Sequence, residues 1–73
     1  MTTKNFLRAL KSFTDRQPFR PFFVEFTSGD RLLVRHPEVI FTHGDLFGHI
    51  DTKHRYRIFD SASVCQLMDL PAD

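Results

Sequence analysis

The 73-residue chain contains one cysteine, no tryptophan, three glycines and four prolines. A single thiol, Cys65, excludes an internal disulfide, the staple on which small secreted domains commonly rely. Apolar runs last only a few residues, whereas a membrane-spanning helix needs roughly 20. The opening Met1-Thr2-Thr3-Lys4 lacks the apolar stretch of a secretory leader. These absences predict a cytoplasmic protein with no membrane role. Excess charge of one sign is also scarce: the net charge is +1, too little by itself to mark a nucleic-acid binder.

What is present is phenylalanine, nine residues of it, beside one tyrosine. Apolar residues make up 41% and charged residues 26%, the balance of an ordinary globular chain. A chain this short forms one domain, residues 1–73, and buries only roughly 60% of its unfolded surface. Large aromatic side chains therefore supply much of its core. Charge is unevenly spread. Residues 1–35 hold seven Lys/Arg against three acids, and residues 36–73 hold three against six. Opposed halves of this kind can pair within a molecule, between copies, or with a polyanion.

The spacing predicts a helix over 3–16. Thr2 or Thr3 can cap it, and Pro18 ends it by forcing Gln17 out of helical space. Phe6, Leu10 and Phe13 line one face, and Lys4, Arg8 and Lys11 the opposite one. Residues 22–27 alternate as a strand with Phe22, Val24 and Phe26 on one side. Residues 31–36 alternate again, with Leu32 and Val34 inward. A three-residue turn, Ser28-Gly29-Asp30, sets Phe26 opposite Leu32, Val24 opposite Val34 and Phe23 opposite Arg35. Pro37 interrupts the strand. A second hairpin runs from Val39 through a His43-Gly44-Asp45 turn to Asp51, with Gly48 read as a bulge or bend. A polar loop (51–55), a strand (56–59), a tight helical turn at Asp60–Ser63 and a last strand (64–70) complete the chain. The fold class is α+β: an N-terminal helix packed on a strongly bent, five- to six-stranded antiparallel sheet covering about 22–70, an SH3/Sm-like small barrel. Curling hides the sheet edges and the phenylalanines together.

Two resemblances follow. Arg16-Gln17-Pro18-Phe19-Arg20-Pro21-Phe22-Phe23-Val24, then Ser28-Gly29, then Val34-Arg35-His36-Pro37-Glu38, resembles a pattern in short bacterial proteins of unassigned function. It implies a bacterial, cytoplasmic origin and carries no activity to transfer. The element order, with Val24-x-Phe26-x-x-Gly29 and Ile58-Phe59-Asp60-Ser61-Ala62-Ser63-Val64, is similar to the Sm-like proteins, including the bacterial RNA chaperones. That likeness implies a small barrel and RNA binding. The family's base-holding Asp and Asn have no counterparts after Val34, and Asp60-Ser61 stands where the chaperone branch has Lys-His.

The outer face of the first hairpin carries Phe23, Glu25, Thr27, Arg31, Leu33 and Arg35. An aromatic beside arginines suits base stacking with phosphate contact, and equally a protein hot spot, unless another element covers it. Lys53-His54-Arg55-Tyr56-Arg57 is the densest basic run; with Tyr56 inward, Arg55 and Arg57 share the outer face. Lys4, Arg8 and Lys11 could follow a phosphate backbone or be the solvated side of a docked helix.

The four histidines lack the cysteine-rich spacing of a zinc site; His43, His49 and His54 read as surface residues, and no metal or other cofactor is expected. His36 is expected inward beside Phe22, bonded to a buried carbonyl or to Glu38. Cys65 is expected as a buried, inert thiol. No Gly-rich phosphate loop, carboxylate pair or nucleophile elbow is present, and so small a barrel leaves little room for a pocket of roughly 300 Å³. No catalytic residue and no small-molecule substrate are assigned. The function expected is a non-enzymatic binding or assembly module. It would act by protein association, including self-association through the spare apolar side chains Phe23, Ile40 and Phe47. RNA or DNA binding through Phe23, Arg31, Arg35, Arg55 and Arg57 is the alternative.

Overall fold

The Thr2 hydroxyl accepts the Asn5 N–H at 3.1 Å and starts helix α1 (Thr3–Thr14). The helix closes two residues earlier than its periodicity suggests, where the Asp15 N–H reaches the Lys11 carbonyl at 2.9 Å. The computed structural model describes residues 1–37, 40–44, 46–51 and 53–71. Among these residues six strands follow the helix: β1 (Phe22–Phe26), β2 (Arg31–Val34), β3 (Ile40–His43), β4 (Leu46–Ile50), β5 (Tyr56–Asp60) and β6 (Val64–Asp69). A 3₁₀ turn, Ser61–Ser63, precedes β6; the Asp60 carboxylate caps it by accepting the Ser63 N–H at 3.0 Å.

The strands do not form one continuous bent sheet. They form two antiparallel three-stranded sheets, in the orders β2-β1-β6 and β3-β4-β5. Among the described residues no ladder joins the sheets, so the expected barrel is not closed by main-chain pairing. The break falls between Val34 and Ile40, around Pro37, whose missing N–H cannot serve a ladder. The expected strand start at Val39, the Asp45 turn position and the Glu38 partner of His36 lie outside the described residues.

The first hairpin has the expected loop length in a different place. Phe26 N–H bonds to the Asp30 carbonyl at 2.9 Å, so the three loop residues are Thr27, Ser28 and Gly29, with Gly29 at φ +91°. Val24 therefore faces Leu32, Phe22 faces Val34 and Phe23 faces Leu33 rather than Arg35. The shift is two residues, an even number, so every side chain paired in this ladder keeps its expected face. His36 does not point inward: it is exposed beyond the end of β2. In the second hairpin His43 belongs to β3 and faces Leu46, so the expected three-residue turn is shorter. Gly48 produces no bulge; it pairs regularly with Phe41 and Ile58.

The irregularity occurs in β6 instead. Glu25 faces Gln66, while Phe26 faces Val64, which leaves Cys65 without a partner on β1. The extra residue breaks the alternation, and the Cys65 side chain is exposed, not buried.

The core is an aromatic cluster shared by the helix and both sheets. The Phe6 ring meets Phe47 edge-on at 4.5 Å and Phe59 at 6.0 Å. Phe26 contacts Phe59 at 5.1 Å, and Phe13 lies on Phe22 at 5.0 Å. Each buried ring contributes roughly 1.5–3 kcal/mol of hydrophobic stabilisation. With two sheets and a helix converging on these rings, the core substitutes for the missing ladder between sheets. The Thr3 and Ser61 hydroxyls, 2.9 Å apart, tie the helix to the 3₁₀ turn.

Candidate binding surfaces

Two surfaces stand out. The first is a groove of about 810 Å³ between β2 and the segment that runs from the end of β4 into β5. It contradicts the expectation that so small a fold leaves little room for a pocket. The space lies at the junction of two sheets, not inside a barrel.

The groove brings together five of the six residues assigned from the first hairpin and the basic run: Arg31, Leu33, Arg35, Arg55 and Arg57. Lys53 and Tyr56 join them. Phe23 does not; it sits half-buried between Leu33 and Met68 on the outer face of the β1 sheet, with the Arg31 guanidinium 5.7 Å from its ring centre. Lys4, Arg8 and Lys11 remain exposed on the helix and do not line the groove.

The cations are held in different ways. Arg57 lies 4.4 Å above the Phe26 ring and donates to Asp30 at 2.7 Å, so it links the two sheets. That contact holds the Asp30 carboxyl below its ordinary pKa. Arg31 donates to Glu25 at 3.2 Å, and Gln66 donates to the same carboxylate at 2.7 Å. Both donors lower the Glu25 pKa, Gln66 more strongly. Asp51 accepts the Arg55 N–H, the Arg55 guanidinium and the Lys53 N–H, and its pKa falls to about 2. Arg35 and Lys53 have no side-chain ion pair among the described residues. Charge from the two halves of the chain also meets within the molecule, at Arg16–Asp69 (2.5 Å) and Arg57–Asp30.

Beneath the groove lies His49, which is only 3% exposed. It is not the surface residue its sequence position suggested. Burial lowers its pKa, while the nearby Asp51 carboxylate and the Leu33 backbone work the other way. His49 on β4 and Leu33 on β2 line the same groove, where no ladder joins the two sheets among the described residues.

The second surface is the outer face of β3-β4-β5. Phe41, Leu46, Tyr56 and Ile58 are exposed there, Ile58 by 66% and Tyr56 by 69%. Phe41 and Tyr56 meet edge-on at 6.3 Å. Tyr56 points outward and Arg57 is the half-buried neighbour, so the arrangement that an inward Tyr56 would give, with Arg55 and Arg57 sharing the outer face, does not occur. Of the spare apolar side chains expected to mediate association, Phe47 is buried against Phe6, and Phe23 and Ile40 are half-buried. The residues actually uncovered were overlooked. A signal existed: Leu46-Phe47 and Ile58-Phe59 place adjacent apolar residues on opposite faces, the pattern of a strand covered on both sides.

No helix among the described residues is long and apolar enough to cross a membrane. No protein-family model matches the chain, and no curated protein matches it significantly.

Proposed function

We propose that this protein is a non-enzymatic cytoplasmic binding and assembly module that self-associates through the outer face of β3-β4-β5. One observation carries the reading: four large apolar side chains, Phe41, Leu46, Tyr56 and Ile58, sit uncovered on a single sheet face. A monomer gains nothing by exposing such a contiguous patch, whereas an interface buries it. The occupant is a second copy of the chain. Charge at the two ends of the face favours this. Arg55 precedes the Tyr56 end of β5, and Asp60 stands at the other end. A two-fold axis lying across the strands reverses their direction, and so sets Arg55 of each copy beside Asp60 of the other.

The scaffold supporting this reading is an SH3/Sm-like small barrel whose second strand is broken into β2 and β3. The helix, the pairing of β6 with β1 and β1 with β2, the β3-β4-β5 meander and the 3₁₀ turn before the last strand favour that assignment.

Light scattering after size-exclusion chromatography tests the association. The wild-type mass is expected near twice the 8.6 kDa of one chain. Ile58→Lys is expected to return the single-chain mass with an unchanged circular-dichroism spectrum. A wild-type chain that stays monomeric at millimolar concentration overturns the proposal.

A further inference from the structure

The groove beside β2 has a property its charge does not describe: one wall is an unpaired strand edge. β2 is the outermost strand of its sheet. The Phe26 N–H to Asp30 carbonyl bond sets the ladder phase, so Leu32 and Val34 exchange bonds with β1. Arg31 and Leu33 therefore turn their main-chain groups toward the groove. One contact agrees with this phase: the Arg31 N–H bonds to the Asp30 carboxylate at 2.9 Å. The Leu33 N–H and the Arg31 carbonyl are left facing the groove with no strand against them among the described residues.

We propose that this groove binds an extended acidic peptide segment, which adds to β2 as a further strand. An open edge is a template for such addition. Charge decides the composition of the segment. Among the described residues the groove is lined by Arg31, Arg35, Lys53, Arg55 and Arg57, with Asp51 as the one acidic residue. Arg55, Arg31 and Arg57 are engaged by Asp51, Glu25 and Asp30, and among the described residues Arg35 and Lys53 have no side-chain ion pair. The four residues of β2 span about 13 Å, enough to pair a segment of roughly five residues. Side chains directly across a ladder must suit one another. Carboxylates thus belong opposite Arg31 and Arg35 and an apolar residue opposite Leu33, giving the order acid-x-apolar-x-acid. Single-stranded nucleic acid would satisfy the same cations but makes no use of the Leu33 N–H. The open edge is the observation that favours a peptide. The groove shares Arg55 and Tyr56 with the self-association face, and Ile58→Lys, which leaves every groove residue in place, separates the two.

Fluorescence polarisation tests it with a labelled acetyl-Glu-Thr-Val-Thr-Glu-amide probe and a control carrying lysines in place of the glutamates. The acidic probe is expected to bind at least tenfold more tightly than the control. Leu33→Pro removes a donor that faces away from β1 and is expected to weaken binding at least tenfold. An amide fingerprint spectrum establishes that this variant is folded. Arg35→Glu, remote from the core, is expected to weaken binding to a similar degree. In the wild type, exchange of the Leu33 amide with deuterium is expected to slow when probe is added. Equal affinity for acidic and basic probes, or binding to neither, overturns the proposal. It is equally overturned if exchange at Leu33 is unchanged by bound probe. Binding of oligothymidylate that survives Leu33→Pro and is abolished by Arg35→Glu, with no acidic-peptide binding, identifies the groove as a nucleic-acid site and overturns it as well.

Discussion

Gly48 lies directly beneath the ring of Phe41: a Cβ placed on Gly48 would fall 2.3 Å from the Phe41 Cζ atom. The two residues face each other across the β3–β4 pair. The glycine therefore serves the shape of the outer sheet face, allowing Phe41 to lie flat along the sheet.

Gly48→Ala separates this role from stability. The alanine methyl group must push the exposed Phe41 ring off the sheet. Replacing glycine within a strand recovers roughly 0.5–1 kcal/mol of backbone entropy, which offsets much of the lost contact. Folding stability measured by denaturant is expected to change by less than about 1 kcal/mol. Self-association, read by sedimentation, is expected to weaken at least tenfold because the apolar face is no longer flat. Unchanged association shows that Phe41 is not part of the interface.

Phe6 is the contact on which the two sheets depend. It is fully buried, and its ring reaches Phe47 and Phe59 from the helix. Phe6→Ala is expected to cost about 3–5 kcal/mol, the range for emptying a buried aromatic site. The core of a domain of this size rarely supplies more than that in total, roughly 3–5 kcal/mol. Thermal and urea unfolding monitored by circular dichroism are expected to show a largely unfolded variant at 25 °C. A cooperative transition near the wild-type midpoint contradicts this account of the core.

His49 makes stability depend on pH. Burial lowers its pKa below the ordinary 6.5, and Arg57 lowers it further, while Asp51 and the Leu33 backbone oppose the shift. The unfolded chain takes up a proton near pH 6.5, and the folded chain resists doing so until the pH is lower. Stability is therefore expected to fall as pH drops below about 6.5, and to level off below the folded-state pKa. Urea midpoints between pH 7.5 and 5 read the effect. His49→Gln is expected to flatten that part of the curve. If both proteins follow the same pH curve, another group is responsible.

The helix and all six strands were legible as local patterns. Phe6, Leu10 and Phe13 recur at helical steps, and Phe22-Val24-Phe26 and Leu32-Val34 alternate. Inward and outward faces of the first hairpin survived a wrong register, because the error was an even number of residues. Positions governed by a neighbouring strand were read wrongly. Cys65 is exposed by a bulge against β1, and nothing in residues 64–69 alone announces it. Tyr56 and Arg57 exchanged faces because Phe59 had to meet Phe6, Phe26 and Phe47. His49 is buried at the junction of the two sheets, a long-range relation that no local pattern contains.

The order of elements and the aromatic character of the core were settled by local propensity and period, which act within a few residues of chain. Partition into two sheets, the groove at their junction and the uncovered face of β3-β4-β5 were settled only when distant segments packed on the same phenylalanines. The physical reason is that hydrogen-bond phase and side-chain period are local quantities. Which strand lies beside which, and which face is left open, depends on how one small core divides its buried area among all the elements that compete for it.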